Sequence, residues 1–208
     1  MSSPPDSSRS TGGARSQAER SEATRAKLLA TARELFAERG YAAVGTEEIV
    51  RRSGLTRGAL YHQFGDKREL FKAVFEQIEG ELVERIPVEE LLGSDALGAL
   101  RAGVETVLDL SLEAEVQRIA LVDAPSVLGF EEWREIEERH GLGLLEAGLA
   151  TAMEAGQIER RPVEPLAHLM LGALIVAALY VARSEDVAGA RGEMGDALRR
   201  MIEGLRPR

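Results

Sequence analysis

The chain has 208 residues, no cysteine, 44% hydrophobic residues and a formal net charge of -9. That length holds one or two domains with enough core to need no covalent staples. The missing cysteines exclude a disulfide scaffold, a cysteine-ligated metal site and a thiol nucleophile.

Aromatic residues make up only 4% of the chain, and β-branched runs are rare beside Ala, Leu, Glu and Arg. That balance predicts an all-helical protein. No cationic stretch followed by an apolar segment opens the sequence, so a cytoplasmic protein is expected. The cations are 3 Lys and 23 Arg, a bias that hints at a GC-rich bacterial source. Residues 1–67 carry 11 Lys/Arg against 8 Asp/Glu, whereas residues 68–208 carry 15 against 27. A basic head on an acidic body suits a chain that meets a polyanion with one end only.

Residues 1–20 are Ser, Pro, Gly and Arg with almost nothing apolar to bury, which predicts a disordered arm. Its Arg9, Arg15 and Arg20 offer a possible contact to DNA beside the plainer reading of a loose terminus. From Ser21, Leu28, Leu29, Ala32, Leu35 and Phe36 recur at three- and four-residue steps and predict a helix over 22–38. Gly40 stops it as a left-handed cap. Thr46 is placed to cap a short second helix with Glu47 and Glu48 in its first turn, ending at Ser53-Gly54. Thr56 is placed to cap a third, through Phe64, and Asp66 with Glu69 has the capping-box spacing for a fourth.

Two short helices joined across Gly54-Leu55-Thr56 form a helix-turn-helix, whose second helix fits the DNA major groove. Leu60 and Phe64, four apart, anchor that helix. Thr56, Arg57, Ala59, Tyr61, His62 and Gln63 are left around its exposed side, with Lys67 just beyond. The run from Thr56 to Lys67 (TRGALYHQFGDK), with the spacing back through Gly54, Ile49 and Thr46 to Gly40, resembles the TetR family of bacterial transcriptional regulators over about residues 22–75. The resemblance implies that Thr46, Tyr61 and Lys67 hold phosphates and that Arg57 and Ala59 face base edges. The family often has His where this chain has Gln63; here His62 precedes it, so either one could reach DNA. Val50 stands where a smaller Ala is common.

Beyond residue 84 the periodicity predicts a loop near Pro87–Gly93, a helix from a Ser94 cap to Leu112, and another from Glu113 to near Pro125. A long amphipathic helix over 130–155 follows, with Glu131, Glu132, Glu135, Glu137 and Glu138 on its wet side. The helix from Pro165 through Ala182 is apolar nearly all round, yet short and interrupted by His168, so burial by other helices is expected and not a membrane span. The last helix covers about Asp186–Leu205. Gly172, Ala173, Val176, Ala177 and Tyr180, with Leu198, Met201 and Ile202, form the expected homodimer face of these two helices, the alternative being that both close the core of a single chain. Val122, Phe130, Trp133, Leu145, Met170 and Tyr180 are the candidate ligand-pocket residues, with plain core packing the alternative for each.

The expected architecture is therefore all-α: a three-helix helix-turn-helix head (21–66) behind the arm (1–20), on a helical ligand-binding and dimerisation body (67–208). The resemblance implies a homodimer on double-stranded DNA carrying an inverted repeat, released by a small hydrophobic effector, with no cofactor and no membrane partner. Two rivals meet the same residues. Glu137 and His140 have the Glu-x-x-His spacing of a di-iron bundle enzyme, but no second copy exists because Pro165 and Ala59 precede the other histidines by three. A small-molecule or lipid carrier would keep the body and leave the head unexplained.

Overall fold

The computed structural model describes residues 11–86 and 95–207. Its elements, all helical, are α1 Thr11–Arg39, α2 Thr46–Ser53, α3 Arg57–Phe64, α4 Lys67–Glu84, α5 Ala96–Leu110, α6 Ala114–Val116, a π-helical segment Gln117–Asp123, α7 Ala124–Leu128, α8 Phe130–Glu154, α9 Val163–Arg183 and α10 Val187–Glu203. They divide into a head ending at Val74 and a body beginning at Phe75. The division falls inside α4, not at Asp66, because Leu70, Phe71 and Val74 are fully buried and Phe71 stacks edge-on against Phe36 and Tyr41.

In the head, α1 begins at Thr11, so the disorder expected over residues 1–20 is corrected for 11–20; residues 1–10, with Arg9, lie outside the described residues. Lengthening a helix that is already nucleated needs one residue fixed per bond gained. Local bonds add to this: Arg20 donates to the Ser16 carbonyl and hydroxyl at 3.0 Å, and the Thr24 hydroxyl donates to the Arg20 carbonyl at 2.8 Å. Gly40 closes α1 at φ 77°, its N–H on the Phe36 carbonyl at 2.8 Å. Gly45, not Thr46, is the N-cap of α2; Thr46 is the first helical residue and no side chain caps that end. Ile49, Leu60 and Phe64 are buried with Leu28, Ala32, Leu35 and Phe36. At about 1.5–3 kcal/mol for each large apolar side chain buried, these contacts hold α2 and α3, which are too short to persist alone.

In the body, the side chain of Asp95, not Ser94, caps α5 by accepting from the Gly98 N–H at 2.9 Å, and Asp186 caps α10 the same way through Gly189. The loop expected at 87–93 lies outside the described residues. Pro125 does not end a helix: it sits in the first turn of α7. The wider π turn precedes it, where a proline has no N–H to bond back and crowds the carbonyl four residues earlier. Pro165 lies in the first turn of α9, where its missing N–H costs nothing. The main core gathers α5, α8, α9 and α10 around Leu100, Val104, Leu149, Ala167, Leu174 and Ile202. At its edge Arg191 of α10 binds Glu105 and Asp109 of α5 at 2.5 and 2.6 Å, and Arg199 binds Glu105 at 3.1 Å. Burial alone would raise the Glu105 carboxyl, but these guanidinium bonds hold it below the usual range.

Helix α9 is long and apolar enough to cross a membrane by length and composition, a test that core helices also pass; 39% of its most apolar stretch is buried here. Ala167, Met170, Leu171, Leu174, Ala178 and Val181 face the protomer's own core, and Leu169, Val176 and Tyr180 stand exposed.

Candidate nucleic-acid interface and ligand cavity

The outer edge of α3 is organised by its cap and by one i, i+4 pair. Thr56 accepts the Ala59 N–H at 3.1 Å and so fixes the first turn. Gly54, at φ 64°, makes the left-handed turn that brings α3 round from α2. Arg57 and Tyr61, one turn apart and both exposed, meet through a 3.4 Å guanidinium–phenol hydrogen bond, the Arg57 carbon 5.4 Å from the ring centre. The Arg57 bond, its charge, and then the Thr46 hydroxyl hold the Tyr61 phenol below its ordinary pKa. Thr46 of α2 therefore joins the same edge as Arg57 and Tyr61 of α3.

His62 and Gln63 part company. His62 is exposed, whereas Gln63 is half-buried and donates its amide to the Ser21 hydroxyl of α1 at 2.8 Å. The Gln63 carbonyl also accepts from Arg25 at 3.3 Å, and that guanidinium lies 4.4 Å over the Phe64 ring. Lys67 is half-buried, donates to the Tyr41 carbonyl at 2.6 Å and lies 3.9 Å from that ring's centre. Ala59 is half-exposed. Ser21 and Arg25 are the residues that sequence reasoning missed; their separation from Gln63 in the chain leaves no periodic signal.

The body contains an apolar cavity of about 960 Å³ of space between atoms, including the part that opens to solvent. Its wall takes Leu82 and Val83 from α4, Val107 from α5, Ala120 and Leu121 from the π-helical segment, and Leu171 from α9. Two carboxyls interrupt this lining: Glu79 of α4 and Glu137 of α8. Glu79 is only 7% exposed. Burial, and after it the charge of Glu137, pushes the Glu79 carboxyl well above the usual range. Burial pushes Glu137 up to about 7, while the Trp133 indole N–H one turn back pulls it partly down. That N–H is buried and completes no hydrogen bond of ordinary geometry, so its effect on Glu137 is one of proximity. Glu137 was expected on the wet side of its helix; the structure leaves it half-buried on the cavity wall.

The candidate pocket residues separate. Leu145 lines the cavity. Trp133 is 1% exposed and does not line the cavity, while Val122 and Phe130 are 47% and 63% exposed, and Tyr180 also faces outward. Phe130 follows the turn at Gly129, φ 83°, Tyr180 lies on the outer face of α9, and Val122 lies on the outer side of the π-helical segment. Met170 lines a separate groove between α9 and α10 with Leu169, Leu198 and Met201. Of the expected dimer face, Val176, Tyr180 and Met201 are exposed and Gly172 and Ala173 half-exposed, whereas Ala177, Leu198 and Ile202 are buried in the protomer's own core. Among the described residues no group of three or more His, Asp or Glu could hold a metal ion.

A family model described as "Bacterial regulatory proteins, tetR family" matches residues 28–74, and one described as "Tetracyclin repressor-like, C-terminal domain" matches residues 97–205. The chain belongs to the TetR family. A TetR-family transcriptional regulator from Pectobacterium atrosepticum superposes with a TM-score of 0.81 at 36% identity, covering 91% of this chain and 97% of that one. The transposon Tn10 TetC protein of Escherichia coli is 24% identical over 85% of this chain and 89% of its own length. The transcriptional activator FasR of Mycolicibacterium smegmatis is 36% identical, but over only 47% of this chain and 44% of its own. As a TetR-family member the chain is a DNA-binding transcriptional regulator, with a helix-turn-helix head and a ligand-binding C-terminal domain.

Proposed function

We propose that this TetR-family regulator is a cytoplasmic homodimeric repressor that reads an inverted-repeat operator and is released from it by a small, largely apolar effector. The reading is carried by the exposed Arg57–Tyr61–His62 edge, held from behind by buried Leu60 and Phe64. Arg57 reads guanine, because its fork matches O6 and N7. Thr46, Thr56 and Tyr61 bind phosphates, and Ala59 lets the helix approach the bases. His62, not Gln63, makes the adjoining contact, since Gln63 is committed to Ser21. Lys67 holds the Tyr41 loop and brings its charge to the rim of the surface.

The second head comes from dimerisation through α9 and α10. Leu169, Val176 and Tyr180 form an outward apolar stripe on α9, with Met201 exposed on α10. Two heads about one helical turn apart read the two halves of a repeat. Helix α4 contributes Phe71 to the head's core and Glu79, Leu82 and Val83 to the cavity wall. A ligand that favours one position of that helix shifts DNA affinity by its differential binding to the two states. Duplex binding measured against salt tests the reading: a dimer neutralising several phosphates loses affinity steeply between 50 and 200 mM, on the order of 10³-fold. A salt-independent affinity would favour a carrier with an idle head.

A further inference from the structure

Glu79 of α4 and Glu137 of α8 line a largely apolar cavity, whose Ser111 hydroxyl is committed to the Leu108 carbonyl, and among the described residues neither carboxyl forms a hydrogen bond of ordinary geometry or an ion pair. Unpartnered carboxyls of this kind are costly: burying an ionised group without a partner is among the largest penalties a fold can carry. The neighbouring cations are committed elsewhere. On α8, Arg134 pairs with Glu138 and Arg139 with Glu76 of α4, both at 2.8 Å. His168 of α9 faces Glu138 at 3.4 Å, and His140 lies against Gly80. Among the described residues the cavity lining contains no cationic side chain.

Given that the cavity is the effector site, we infer that its effector is a lipophilic amine bound as its cation, with the N–H donors shared between Glu79 and Glu137 and the hydrocarbon body against Leu82, Val83, Leu121 and Leu171. A primary ammonium has three donors and no acceptor, so it can satisfy both carboxyls at once. A fatty acid or other anion would bring a third carboxylate to two that already repel each other. A neutral alcohol would fill the same apolar space with one donor and no charge. Because the cation favours ionised carboxyls, its binding expels protons still held there, and affinity should rise with pH through the titration of Glu137 at about 7, with the Glu79 carboxyl, also raised by burial, adding to the rise.

The test uses the full-length protein and n-alkylamines of six to twelve carbons, each beside the alcohol and carboxylate of equal length. Binding is read by calorimetry and by the fluorescence of the single tryptophan, Trp133. At pH 8 the best amine should bind at least tenfold tighter than its alcohol, and the acid weakest of all. Amine affinity should fall by at least about tenfold per pH unit below about 7. In the Glu79→Gln, Glu137→Gln double variant the amine's advantage should vanish while alcohol binding persists, which also reports that the cavity is intact. Amines no tighter than alcohols, acids bound as well as amines, or a flat pH profile in the wild type would each overturn the inference. DNA release is scored separately. An amine that binds as described but leaves the duplex bound would keep the ligand class and refute the ligand-released repressor.

Discussion

Replacing Glu137 with glutamine should leave the ligand-free protein's stability nearly unchanged near pH 4.5 and raise it at pH 8. In the folded protein the Glu137 carboxyl titrates at about 7 against an ordinary 4.5, because burial disfavours the charged form. Below pH 4.5 both folded and unfolded chains hold the proton. Between 4.5 and 7 the unfolded chain releases it and the native one does not, so stability drains away as pH rises through the folded pKa. At 1.36 kcal/mol per pKa unit, the loss reaches about 3 kcal/mol by pH 8. A protein of this size gains roughly 2–4 °C in Tm per kcal/mol. Water at the cavity mouth screens part of the charge, so the lower end, about 6 °C, is the expected gain for the glutamine variant. Thermal unfolding followed by circular dichroism at pH 5 and pH 8, wild type against variant, reads it directly. Glu105, Glu113 and Glu203, held low by arginines, titrate alike in both proteins and cancel in the comparison, whereas Glu79 loses the part of its upward shift that the Glu137 charge causes, which acts in the same direction as the expected gain. An equal Tm difference at the two pH values, or a variant less stable at pH 8, would refute the unpartnered carboxyl.

Arg57→Ala should cost about 1–3 kcal/mol of operator binding and relax one base position in each half-site, seen by anisotropy on single-base operator variants; equal losses on operator and random duplex would contradict its base-reading role. Leu60→Ala, at a fully buried anchor of α3, should destabilise the head by about 2–5 kcal/mol and abolish operator binding without altering the body's cavity. Gly54→Ala, at φ 64°, should cost about 1–2 kcal/mol, measured by urea unfolding, because an L side chain strains that turn. Val176→Glu should convert the dimer to a monomer in sedimentation, while Ala177→Ser, in the protomer's own core, should leave the dimer intact.

The head was legible because its signals are local. Gly40, Gly54, the Thr56 cap and the four-residue step from Leu60 to Phe64 each act within a turn or two of chain. What escaped was set by distant partners: Ser21 taking the Gln63 amide, and the Tyr41 loop taking Lys67. The body shows the same division. Its long helices follow from periodicity, yet Glu137 reads as solvated in any helical projection that treats acids as wet. Only the packing of α4 and α8 around a cavity puts it on that wall. Phe130 and Val122 err in the other direction, since an apolar side chain carries no mark of whether a partner will cover it. The π turn ahead of Pro125 shifts the register of the wall in a way that no 3.6-residue count predicts.

Selection of bound duplexes from a random pool, with ligand-free wild-type protein at physiological salt, puts the two-headed reader to the most direct trial. The expected product is an inverted repeat whose half-site centres lie about one helical turn apart, with a guanine in each half that loses its enrichment in Arg57→Ala. Recovery of unrelated sequences, or of single half-sites without symmetry, would contradict it.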